Sequence, residues 1–319
     1  MPLVLLLVLL SVGWAEAQSY QWSLVRFGEK GQFNTVATGT NDAGWIVGNY
    51  DGHADPSLPR GAFRFSQGKF YDFQVPGAED AENVVVEEIG KSSTIVGTYF
   101  APPPCELDCG DGTLHAFLYR HGPQDHIIID VPGAFWTFPL ALNDKRQVGL
   151  GYFAEPDPDV TTWGAAIYDY ATKKFTPVTV FGSTQVEIKG MNNLGDLVGL
   201  VWVVNQAGEE EQLAFLKRGG VDVVLEDPTG HSFLLPQGIN DQRVIVGGLT
   251  NGAGFRYDTA TGAFQEIRHP VRVEGFLTYI AEIDNKGRMV AVNMRESDGY
   301  TESWWLRPVS SANMAALPE

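Results

Sequence analysis

The chain has 319 residues and a net charge of −17, from 39 acidic and 22 basic side chains. A charge so negative argues against nucleic acid and anionic membrane as partners. With 44% hydrophobic and 12% aromatic residues, 36 Gly and 18 Pro, the composition is that of a folded protein with many strands joined by many turns.

The N-terminus, "MPLVLLLVLLSVGWAEAQ", holds an uncharged apolar run from Leu3 to Leu10. It is too short to span a bilayer, which takes about 20 apolar residues. It ends in the small-x-small pattern Ala15-Glu16-Ala17. We read residues 1–17 as a secretory signal peptide and expect a secreted or periplasmic protein with no membrane insertion after cleavage. Residues 18–308 are expected to form the folded unit and 309–319 a C-terminal tail.

An eight-letter phrase then recurs. "NDAGWIVG" begins at Asn41, "NNLGDLVG" at Asn192, "NDQRVIVG" at Asn240 and "DNKGRMVA" at Asp284. Degenerate copies in phase begin at Gly90 and Asn143. Six units of about 50 residues point to a propeller. Each unit carries four short strand-like runs rich in Val, Leu, Ile and Phe, bounded by Gly, Asn and Asp. Gly44, Gly195 and Gly287 are placed to supply a positive φ in the first hairpin of three units. Ser93, Arg146 and Arg243 stand there in the others, where we expect looser or Asn/Asp-assisted turns. Gly48, Gly97, Gly199 and Gly247 lie inside the second strand, where a glycine marks close backbone approach. A neighbouring blade's aromatic, such as Phe63, Phe117 or Phe215, is expected over each.

The last unit lacks a fourth strand, and "SYQWSLVRFG" precedes the first full unit. The expected fold is an all-β, six-bladed β-propeller in which residues 20–27 become the outer strand of the C-terminal blade, closing the ring.

The cysteines, Cys105 and Cys109, lie in "PPPCELDCGDG" and are expected to form a local disulfide in an exported chain. No metal site is expected from them. No nucleophile elbow, zinc-protease helix or phosphate loop occurs.

At "HAFLYR" (115–120), "DVPGA" (130–134) and the "NDAGWIVG"-type copies, the chain resembles the HAF-repeat family of predicted extracellular proteins. The tripeptide that names the family stands once, as His115-Ala116-Phe117, and the resemblance spans roughly residues 34–307. It implies a repeat fold and export, and carries no catalytic residue. His115 is expected to cover a strand edge.

In a four-stranded blade the strand 2–3 loops and the blade-to-blade loops share one face. Here they are long and varied, which is where recognition usually sits. Trp136, His231 and Arg272, in three blade-to-blade loops, offer a stacking surface, a titratable ring and a cation to a ligand. Glu79 and Asp80, adjacent in another, are candidate ligand or acid–base groups. Acidic residues of this face, among them Asp51 and Asp55, offer oxygen ligands to calcium, though no established calcium loop matches and no other cofactor is implied. The function read from the sequence is a monomeric binding protein for a glycan, a protein or a surface polymer. Its rivals are a propeller hydrolase or lyase with a funnel active site, and a structural envelope component.

Overall fold

The computed structural model describes residues 18–53, 55, 57–73, 82–90, 92–101, 113–120, 126–154, 163–230, 232–270 and 275–309. The signal-peptide segment, nearly all of the tail, the two cysteines, Glu79, Asp80, His231 and Arg272 lie outside these residues.

The alternating runs form strands, beginning with β1 (Tyr20–Val25). Blade 1 is β2 (Phe33–Thr40), β3 (Ile46–Gly52), β4 (Gly61–Ser66) and β5 (Lys69–Phe73). Blade 2 is β6 (Glu82–Ile89), β7 (Ile95–Ala101), β8 (Thr113–Tyr119) and β9 (His126–Ile129). Blade 3 is β10 (Trp136–Leu142), β11 (Gln147–Phe153), β12 (Trp163–Asp169) and β13 (Lys174–Val178). Blade 4 is β14 (Val186–Met191), β15 (Leu197–Val204), β16 (Glu210–Arg218) and β17 (Val221–Val224). Blade 5 is β18 (Leu234–Ile239), β19 (Val244–Leu249), β20 (Gly254–Asp258) and β21 (Ala263–Ile267). Blade 6 takes β22 (Phe276–Ile283), β23 (Met289–Arg295) and β24 (Thr301–Pro308), with β1 as its fourth strand. All six sheets are four-stranded antiparallel meanders.

The fold is a six-bladed β-propeller. It closes as the sequence predicts: β1 pairs with β24 in a register that sets Ser23 opposite Trp305 and Leu24 opposite Trp304.

The core is divided. Each apolar cluster lies between two adjacent blades: Val47, Val86 and Phe117 between blades 1 and 2, and Ile188, Ala165 and Phe215 between blades 3 and 4. Phe63, Phe117, Phe215 and Phe255 are fully buried, and each such side chain contributes about 1.5–3 kcal/mol by leaving water.

The second-strand glycines differ in one respect from the expectation. A Cβ on Gly97 would lie 2.1 Å from the Val85 carbonyl and 2.7 Å from the Phe117 ring. Phe117 faces Gly97 across the same sheet. The aromatic therefore comes from the next strand of the same blade, because direct cross-strand pairing brings it nearer than any neighbouring blade does.

The repeated phrase has a role beyond the turn. In the tight turns, Asn192 Oδ1 accepts from the amides of Leu194 and Asp196, which is how an Asn side chain completes a turn. Its Nδ2 donates to the Asn240 carbonyl of the next blade at 3.1 Å. Asn41, Asn143 and Asn240 donate in the same way to Gly90, Asn192 and Asp284. The second letter adds another link, from the amides of Asp144, Asn193, Asp241 and Asn285 to the side chains of Asn193, Asp241, Asn285 and Asp42. Ser93, Arg146 and Arg243 take positive φ of 60°, 69° and 62° in place of Gly. The Arg146 and Arg243 turns are Asn-assisted, as expected, with Asn143 Oδ1 accepting from Lys145 and Gln147 and Asn240 Oδ1 from Val244.

Candidate functional site

In each inner strand the pairing register slips three residues before the repeated phrase. The residues bulged out are Thr38, Glu87, Leu140, Lys189, Gln237 and Ala281. A bulge re-aims a side chain, and here all six are half-buried between buried neighbours. Only two carry charge, Glu87 in blade 2 and Lys189 in blade 4.

These two act on each other: Lys189 pulls the Glu87 carboxyl down, while burial, the larger effect, pushes it up. Glu87 in turn helps raise Tyr279 of blade 6, whose phenol burial pushes up to about 12. Blades 2, 4 and 6 are not neighbours, so these side chains can meet only in the central channel. Their partial exposure is exposure to that channel, with protein all around it. Lys189 Nζ also lies 2.6 Å from Glu187 Oε1 of its own strand. Glu87 has no hydrogen-bond or ion-pair partner among the described residues.

Toward the tight-turn mouth lies a second acidic pair. Glu88 of blade 2 and Glu282 of blade 6 are buried and hydrogen-bonded to each other. Four of the equivalent positions are Gly39, Ala141, Gly190 and Gly238. A Cβ on Gly39 would stand 2.6 Å from Glu88 Oε1, and one on Gly238 2.6 Å from Glu282 Oε1. The glycines leave the space that the two carboxyls fill. A cavity of about 70 Å³ at this mouth is lined by the linking Asn residues with Glu88 and Glu282.

At the opposite, long-loop end a cavity of about 300 Å³ opens between blades 3 and 4. Its walls are Phe138, Phe153, Trp163, Val186, Trp202 and Glu187. Trp163 and Trp202 meet edge to face with centroids 4.7 Å apart. Gly151 makes room: a Cβ there would stand 2.3 Å from the Phe138 ring. Glu187 lines this cavity, and its carboxylate is paired with Lys189.

A larger cavity, about 420 Å³, lies between blades 1 and 2. Its Asn49 is engaged with the Val86 backbone in both directions, and Asn34 donates to Asp51 at 2.7 Å. Those polar groups hold blades and strands together. Among the described residues no group of three or more His, Cys, Asp or Glu is disposed to hold a metal ion.

Of the five ligand-binding candidates from sequence, Trp136, His231, Arg272, Glu79 and Asp80, Trp136 alone lies among the described residues. It is the first residue of β10 rather than a loop residue, opposite Phe153, and its ring packs edge-on to Phe153 at 5.8 Å. It thus packs on one wall residue of the aromatic cavity without lining the cavity itself, and its indole Nε1 is buried without a partner among the described residues. His115 Nδ1 lies 2.9 Å from Asp130 Oδ1 and its ring stacks on Tyr99, a structural placement on the blade surface. Sequence reasoning missed Phe138, Phe153, Trp163, Trp202, Glu187, Lys189 and Glu87. The usable signal was charge inside otherwise apolar inner strands, "VEIKGM" and "VVVEEIG".

No family model matches the chain, and no curated protein matches its sequence. Among solved structures it is similar to YCF48 from Cyanidioschyzon merolae, at 10% identity over 90% of this chain and 98% of that one, with a TM-score of 0.45. It is also similar to the Dos1 propeller, at 9% identity over 85% and 92%, TM-score 0.44. A third is the polysaccharide lyase Uly1, at 13% identity over 87% and 78%, TM-score 0.43. Likenesses at these values leave the function to be read from this chain's own residues.

Proposed function

We propose that the protein is a β-propeller that binds a glycan, with a sugar ring held in the aromatic cavity between blades 3 and 4. The observation that carries this reading is the wall of Phe138, Phe153, Trp163 and Trp202 beside the Glu187 carboxylate. Sugar rings present apolar C–H faces and polar hydroxyl edges. Aromatic faces take the first and a charged acceptor the second, a pattern common to small-ligand sites. The Glu187–Lys189 pair offers an acceptor and a donor side by side to neighbouring hydroxyls. The position supports the same reading, since two of the cavity's walls are strand ends, Phe153 closing β11 and Trp163 opening β12. A protein ligand fits less well, because a cavity of this volume accepts one or two rings and not a surface.

Titration of the protein with neutral oligosaccharides, read by calorimetry, tests the reading. The wild type is expected to bind at least one of a set of cello-, xylo- and manno-oligosaccharides. Trp202→Ala is expected to weaken that binding by about 10-fold or more, the loss of one stacking partner being worth about 1–2 kcal/mol. Binding unchanged in Trp202→Ala and in Trp163→Ala would remove the cavity from consideration.

A further inference from the structure

Resting on the reading of the aromatic cavity as a sugar site, we propose that the sugar it selects is an amino sugar, whose ammonium is held between the Glu187 carboxylate and the indoles of Trp163 and Trp202. Two kinds of group attract an ammonium: a carboxylate, and the face of an aromatic ring, indole above all. Both stand in this wall, and no other charge does. Glu187 is the one charged residue lining the cavity, beside the rings of Phe138, Phe153, Trp163 and Trp202. The two indoles meet at 84°, forming two sides of a corner. The Glu187 side chain is only 26% exposed, and a charge partly withdrawn from water attracts its opposite more strongly than one in bulk solvent.

Lys189 engages this carboxylate from outside the cavity. Its Nζ meets Glu187 Oε1 at 2.6 Å, and it is not among the lining residues. A carboxylate accepts through two oxygens, so Oε2 remains for the ligand. Beyond this pair, charge on blades 3 and 4 is sorted by end. Between Trp136 and Val224 every base except Lys189 lies in or beside a tight turn: Lys145 and Arg146 after β10, Lys173 and Lys174 where β13 begins, Lys217 and Arg218 closing β16. At the other end Glu210 and Glu211 open β16 with exposed side chains, preceded by exposed Glu209. The register sets Glu211 opposite Val203, one residue from the cavity wall Trp202. An amino sugar nearing the cavity meets a field of favourable sign. A uronate or a sulfated sugar meets the same field with the wrong one.

The test compares three tetrasaccharides that share one glucan backbone: cellotetraose, its analogue with an amine in place of one hydroxyl on each ring, and the N-acetylated form of that amine. Ring stacking is common to all three, and only the amine carries charge. Calorimetry is run at about pH 6, where such an amine, titrating at about pH 8, is protonated. The wild type is expected to bind the amine about 10-fold or more tighter than either neutral ligand. Glu187→Gln is expected to cut that preference to about threefold or less while the dissociation constant for cellotetraose stays within about threefold. Added salt is expected to weaken the amine alone.

Trp202→Ala separates the cavity from general attraction to an acidic protein, and is expected to weaken the amine as it weakens the neutral sugars. Glu266→Gln, on the outer strand β21, serves as the unaffected control, and circular dichroism verifies the fold of each variant. Cellotetraose or the N-acetylated ligand binding wild type as tightly as the amine overturns the amino-sugar selection and leaves the sugar site standing. So does a preference that survives Glu187→Gln, or amine binding that survives Trp202→Ala. If no oligosaccharide of either kind binds, the sugar reading of the cavity falls as well.

Discussion

Glu88 and Glu282 are the residues at which the interior of this propeller is most sensitive to protons. Burial raises the Glu282 carboxyl from the ordinary 4.5 to about 7. It raises Glu88 well above that range too, helped next by the Glu282 charge. Neighbouring acids push the same way, Glu87 on Glu88 and Asp284 on Glu282. The backbone amides of Ile89 and Ile283 oppose it, each donating to the adjacent carboxylate oxygen. The pair therefore holds a proton that the unfolded chain would release. Its stabilisation is complete below about pH 4.5 and is lost as pH rises through about 7. In Glu88→Gln/Glu282→Gln no proton is needed. Relative to wild type, the double variant is expected to gain several degrees in Tm between pH 5 and pH 8. Parallel Tm-versus-pH curves for the two proteins would show that the carboxyls are not coupled to folding.

At the scale of the element, the ring's closure and its blade-to-blade links differ in how visible they are in sequence. The closure was legible, because the last unit lacks a strand and the first is preceded by one, and an open edge is costly. In β1, Val25 is buried and Trp22 packs on Trp304 and His269. Together with Tyr20, these side chains bury apolar surface worth about 6 kcal/mol. Deleting residues 18–25 is expected to lower Tm by more than about 10 °C. An unchanged melt would mean that β24 tolerates an open edge. The Asn links were not legible. Asn192 is chosen in sequence for its turn, where its Nδ2 also donates to Asp196, and only the ring's curvature brings that Nδ2 to the Asn240 carbonyl. Likewise the bulges leave no letter behind, since any residue type can be bulged, as Thr38, Leu140 and Lys189 illustrate.

For the whole molecule, architecture follows from the repeat, but the site arises where the repeat is broken. Six inner strands share one geometry, and the proposed sugar site draws on positions that differ among them: Phe138 and Glu187 on the cavity wall, with Lys189 on a bulge beside Glu187. Periodicity singled out Trp136, which packs on the cavity wall residue Phe153. It did not reach Trp163 or Trp202, which come from different blades and meet only after the ring closes. The central claim is that this inter-blade cavity receives a sugar. A crystal structure of the protein with a bound oligosaccharide tests it directly. The account predicts a sugar ring against Trp163 and Trp202 with a hydroxyl on Glu187. An oligosaccharide seated instead at the tight-turn mouth, or between blades 1 and 2, would contradict it.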